Sequence, residues 1–248
     1  IGRLERGVFK PINFDIKEKI YQSQLTSFAL RKFFQEQGDI ARVVLIYPIS
    51  LLLNKNAPSF EGISEEFKEL ITKLLNDQTE ITKYLSNPCF YFKKHPHSIE
   101  ADDFIVIHSI GQYEGVNFSA TLGELILEIF IDMVLRYQKE PFSELYLDIS
   151  SGHNIYVSAL LEAGRLFLTF YKLQNFHLQD EQLKVYITFS DPILSPYDRT
   201  FKIHKSFPLE AKVFFSYPEK PSEYSLEQGY MKFAGQLAKE NREIKRNL

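Results

Sequence analysis

Ser150, Ser151, Gly152, His153 and Asn154 stand in a row between a short apolar run and a long stretch of helical density. Residues of these types can hold an anion. Ser and Gly let a ligand approach the backbone, and His153 and Asn154 add side-chain donors. A helix starting here would offer its unpaired N–H groups and the positive end of its dipole. A plainer reading fits the same residues: Ser150 or Ser151 caps the helix and Gly152 eases the turn. Asp148, just ahead, could orient a hydroxyl or pair with a backbone turn. Three further groups are candidates for chemistry. Ser50 lies just past the β-branched run Val43, Val44 and Ile46, on the side where ligands of an open α/β sheet gather. Gly111 and Gln112 belong to a polar, two-glycine stretch, SIGQYEGVNFSA. His95 and His97 flank Pro96, but without a thiolate or clear carboxylate partner they make weak ligands, and no metal is expected.

Several chemistries lose their usual warrant. There is no Walker A pattern, no GxGxxG after an expected strand, no GxSxG elbow and no HExxH. The single Cys89 excludes an internal disulfide and a multi-cysteine zinc site, and suits a reducing cytoplasm. A net charge of −3 argues against a surface coated for nucleic acid, so no direct DNA binding is expected. No apolar run reaches the length of a membrane span. Apolar residues make up 44% of the 248, with 22 Phe and 14 Tyr, enough for a sizeable core.

The elements that must position these residues can be read in order. Residues 1–19 suggest an edge strand with Phe9, Ile12 and Phe14, or a loop around Pro11. From Ser23 a helix is expected, with Leu25, Phe28, Ala29 and Phe33 on one face and Gly38 past its end. Residues 41–53 predict a buried strand ending near Pro48. Ser64 should cap a helix through Leu75, and 79–85 adds a turn or two. Pro88–Phe92 reads as a strand, and Asp103–His108 as another. Thr121–Tyr137 has the clearest amphipathic period, with Leu122, Leu125, Ile126, Ile129, Phe130, Met133 and Val134 on one face. Leu145–Ile149 is a strand and the next five turns a helix. Leu183–Phe189 alternates as a strand. Phe201–Lys205 and Ala211–Tyr217 suggest a hairpin, Pro218–Pro221 a linker, and Tyr224–Leu248 a helix with a narrow apolar stripe. The pattern predicts an α/β fold: a Rossmann-like, mostly parallel sheet with helices on both faces, plus a C-terminal hairpin and helix. Domains are expected at 1–218 and 219–248, the second a linker and helix for dimerisation or the start of an effector region.

The segment LDISSGHNI, residues 147–155, resembles the D-[IL]-T-[HG]-G-x-[NK] loop of CRISPR-associated Rossmann-fold (CARF) sensor domains of type III systems. Asp148, Ile149, Gly152 and Asn154 match. Ser150 replaces the usual Thr, Ser151 the usual His or Gly, and His153 fills the variable position. Looser likeness extends to IGQYEGVNFSATLGELI, YPISLL and TFSDP, spanning roughly Tyr21–Pro218. The closest resemblance is to archaeal CARF proteins fused to a HEPN ribonuclease. It implies antiviral signalling by a homodimer that binds cyclic oligoadenylate, expected to be cyclic tetra-adenylate, across its axis and without a cofactor. Ser150, Ser151, Gly152, His153, Asn154, Ser50, Gly111 and Gln112 would be the ligand-binding residues. Members of the family also use the loop after their first strand; here the segment IGRLERGVFKP is expected either to begin just after that strand or to be the joined ends of a gap. The R-x4-H pattern of a HEPN nuclease occurs at Arg199–His204, but in a proline-rich turn leading into a strand, so catalysis there is not expected. Only one helix is expected after Pro221, so the nuclease half would be absent, replaced or outside this chain. A ring nuclease that cleaves the same ligand in the same pocket is the alternative.

Overall fold

In the computed structural model the described residues are 11–53, 63–152, 154–175, 183–192 and 200–211. The chain opens with a hairpin of β1 (Ile12–Ile16) and β2 (Lys19–Ser23), whose turn holds Lys17 and Glu18 at positive φ. Helix α1 (Thr26–Glu36) follows and ends in a Schellman motif: Asp39 N–H donates to Phe34 O and Gly38 N–H to Gln35 O, with Gly38 at φ +87°. Strand β3 (Val44–Pro48) leads into a 3-10 turn, Ile49–Leu53. Helix α2 (Glu65–Asn76) starts at Ser64, whose hydroxyl accepts from Phe67 N–H as the sequence predicts. Helix α3 (Gln78–Ser86) is likewise where a turn or two was expected.

Pro88–Phe92 is not the strand its aromatic residues suggest but a one-turn helix, α4. Asn87 caps it by accepting from Phe90 N–H, and Pro88 occupies its first turn, where a missing N–H costs nothing. Helix α5 (Pro96–Glu100) repeats the device with His95 as cap. Strand β4 (Asp103–Ile107) pairs in parallel with β3. The polar stretch after it is a hairpin, β5 (Ile110–Tyr113) and β6 (Val116–Ser119), closed by Glu114 and Gly115, both at positive φ. Helix α6 (Leu122–Lys139) opens on a capping box between Thr121 and Glu124. Strand β7 (Glu144–Asp148), helix α7 (Asn154–Gln174), strand β8 (Lys184–Ser190) and strand β9 (Thr200–Lys205) complete the described elements. Of the expected strand over 211–217 only Ala211 is described; residues 212–217, the linker and the terminal helix lie outside the described residues.

Strands run in the order β2-β1-β9-β8-β7, with β1·β9 and β7·β8 parallel and β1·β2 and β8·β9 antiparallel; β3·β4 is a second parallel pair. Helices cover both faces. Val185 packs beneath α6 and α7 with Leu125, Ile129, Ala159 and Phe167. Its neighbour Tyr186 faces the other way and stacks on Tyr146, which meets Phe34 of α1. The α/β, Rossmann-like expectation therefore holds. Helix α7 comes very close to β7, because Gly164 leaves room for Leu147. No described helix is long and apolar enough to cross a membrane.

Candidate functional site

Strand β7 ends at Asp148 and helix α7 begins at Asn154, so the serine–glycine turn lies at the carboxyl end of a parallel strand. It remains tied to the sheet: Ile149 N–H donates to Thr188 O at 2.9 Å. Asp148 Oδ1 accepts both Ser150 N–H, at 3.0 Å, and the Ser150 hydroxyl, at 2.5 Å. The same hydroxyl accepts Ser190 N–H at 3.0 Å. Ser150 is therefore engaged on both sides and shapes the turn. Gly152 stands at φ +122°, a conformation that only glycine adopts without strain. Ser151 and Gly152 are half-buried and Asn154 is exposed; His153 lies outside the described residues.

Asp148 meets both of its expected roles, accepting a hydroxyl and a backbone N–H of the turn, each from Ser150. Burial pushes its carboxyl above the usual range, while the bonds from Ser150 and from the Ser27 amide, in the first turn of α1, pull it back. The carboxyl end of β7 is thereby linked to the start of α1, a helix whose preceding residue, Leu25, offers no side-chain cap. Asp148 is a structural group that holds the turn.

A second cluster forms at the carboxyl ends of β3 and β4. Ser50 is buried in the 3-10 turn, and its N–H donates to the hydroxyl of buried Ser109 at 2.9 Å. His108 is exposed, and its backbone N–H and Nδ1 both meet the carboxylate of Glu128. Gly111, at φ +107°, and Gln112 lie exposed on β5, the first strand of the hairpin that the sequence presented as a loop. Ile107 at the end of β4 and Leu147 near the end of β7 share one core, so both clusters are set by the same packed layer.

His95 and His97 are core residues. Both are fully buried among Phe28, Phe67 and Phe92, with His95 Nδ1 3.2 Å from the Tyr47 hydroxyl and accepting His97 N–H at 3.2 Å. Burial, then His97, hold the His95 pKa well below its usual value. Arg199 lies outside the described residues, and His204 sits in strand β9, not at a helix end.

Sequence reasoning noted TFSDP but missed what it builds. Asp191 Oδ1 lies 2.7 Å from His204 Nε2, and its other oxygen accepts Lys202 N–H at 3.1 Å. Phe189 stacks on His204 with ring centroids 5.1 Å apart. The alternation of β8 placed Phe189 on one face, but its pairing with His204 of β9 had no sequence signal.

A family model described as the CARF domain of CRISPR system endoribonuclease Csx1 matches residues 2–192. No curated protein matches the chain.

Proposed function

The chain belongs to the CARF-domain family of CRISPR system endoribonuclease Csx1, and from that premise we propose that it senses cyclic oligoadenylate, with cyclic tetra-adenylate as its ligand, in type III CRISPR signalling. The observation that carries this reading is the turn at the end of β7. Gly152 at φ +122° bares the backbone beside the start of α7, while Ser150 spends its hydroxyl on holding the turn rather than filling it. A phosphodiester carries one negative charge, and a strand-to-helix turn of this form supplies N–H donors to it. Ser151, His153 and Asn154 then contact phosphate or ribose, with Ser50, Gly111 and Gln112 contributing from the β3–β4 side.

The sensor acts as a homodimer, since a ligand of four identical units matches a two-fold axis. Helix α6 supports this reading by leaving Leu127, Ile131 and Leu135 exposed at successive turns. In the same reading the segment after Pro218 carries the signal to a ribonuclease effector, as in the archaeal relatives fused to HEPN domains.

Calorimetric titration of the parent protein with cyclic tetra-adenylate is the test. Saturable binding that disappears in Gly152→Val supports the reading, and a parent that takes up no ligand overturns it. Chromatography of the titrated mixture separates sensing from cleavage: intact ligand is expected, and linear products would identify a ring nuclease.

A further inference from the structure

Along β8 the side chains alternate, and Val185 lies in the core beneath α7, so Phe189 at the far end of the strand faces the same side as α7. There the covering stops. Phe189 is 41% exposed and the His204 side chain 37% exposed. The two residues are direct partners across the antiparallel β8·β9 pair, and their rings lie 22° from parallel.

An exposed phenylalanine alone would mean little. This one is backed by an imidazole whose orientation is fixed. His204 Nε2 is held by Asp191 Oδ1, and Asp191 is itself fixed by a reciprocal pair of backbone contacts with Lys202: its Oδ2 accepts Lys202 N–H and its own N–H donates to Lys202 O at 3.0 Å. A stacked ring pair that is already ordered loses little freedom when a third flat group is added. The site adjoins the phosphate turn, because Ser190, next to Phe189, donates its N–H to the Ser150 hydroxyl.

We propose that Phe189, stacked on His204 and locked through Asp191, is a platform on which one nucleobase of the bound nucleotide lies while its phosphate meets the Ser150–Gly152 turn. The proposal rests on the functional reading above and names a base-stacking element of that site. Aromatic rings accept any base by its π face, so the platform provides affinity for nucleotides.

The test is titration with cyclic tetra-adenylate, together with an analogue carrying 2-aminopurine, whose fluorescence falls on stacking. Phe189→Ala and Phe189→Leu are expected to weaken binding by roughly 5- to 100-fold and to abolish the quenching, whereas Phe189→Trp retains both. Leucine keeps an apolar side chain without a π face, so binding that survives in Phe189→Leu overturns the platform even if Phe189→Ala melts early. Parent binding with no quenching also overturns it and leaves the functional reading standing. A parent that binds nothing overturns both.

Discussion

Gly164 of α7 lies so close to Leu147 of β7 that a Cβ on the glycine would fall well inside the contact distance of the leucine Cδ1. Leu147 is buried and adjoins Asp148, so this contact sets how tightly α7 seats against the strand that ends in the candidate site. Gly164→Ala gains about 1 kcal/mol of helix propensity. Overpacking a well-filled core costs about 1–3 kcal/mol, which outweighs that gain. The expected result is a net loss in chemical denaturation, recovered in the Leu147→Val/Gly164→Ala double variant, because valine lacks the clashing carbon.

Gly152→Val should cost about 1–2 kcal/mol of stability, because a branched residue at φ +122° is strained. It should also abolish binding of cyclic tetra-adenylate. A turn that only capped its helix would show the first effect in a melting curve while the titration would show no ligand uptake in the parent either.

Ser150→Ala removes one hydroxyl that serves two partners, Asp148 and Ser190. A loss of about 1–3 kcal/mol is expected, since the half-buried Asp148 loses a donor and Ser190 N–H loses its acceptor. Hydrogen exchange provides the local readout: the Ser190 amide should exchange faster, with the centre of β8 unchanged.

His95 gives the fold an acid limit. Its pKa is depressed in the folded protein, so the unfolded chain takes up the proton first as pH falls. The stability that neutral His95 contributes is complete above pH about 6.5 and declines below it, at up to about 1.4 kcal/mol per pH unit until the folded pKa is reached. Urea midpoints between pH 7.5 and 5 should show this slope. His95→Asn retains a residue able to cap α5 and should flatten it.

Dimer formation can be tested on α6. Ile131→Glu places a charge in the middle of the exposed stripe of Leu127, Ile131 and Leu135. Sedimentation should show a dimer for the parent and a monomer for the variant, and the melting temperature should rise with protein concentration in the parent but not in the variant.

How far the sequence foretold this arrangement depended on the kind of force involved. Helix α6 was legible because a single packed face imposes its period on Leu125, Ile129 and Met133, and the parallel strands because both their faces are covered. Pro88–Phe92 was misread because aromatic side chains favour strands on average, whereas a cap at Asn87 and a proline in the first turn decided the local outcome. The β5·β6 hairpin looked like a loop because its strands are short and half-exposed; the Glu114–Gly115 pair was its one turn signal. At the site, the turn residues could be named from their types. The links from Ser150 to Ser190 and from Asp191 to His204 span 40 and 13 positions, and only the fold brings such groups together.

The pairing of β8 has a mechanical consequence. At one end the strand is pinned to the turn by the Ser190–Ser150 bond, and along its length it guides the outgoing chain, with Ser206 N–H donating to Ile187 O and Leu209 N–H to Val185 O. Lys172 of α7 secures the end of that segment by donating to Ala211 O. One strand thus both braces the Ser150–Gly152 turn from beneath and directs the chain that leaves β9 as far as Ala211, so the two segments share a single support.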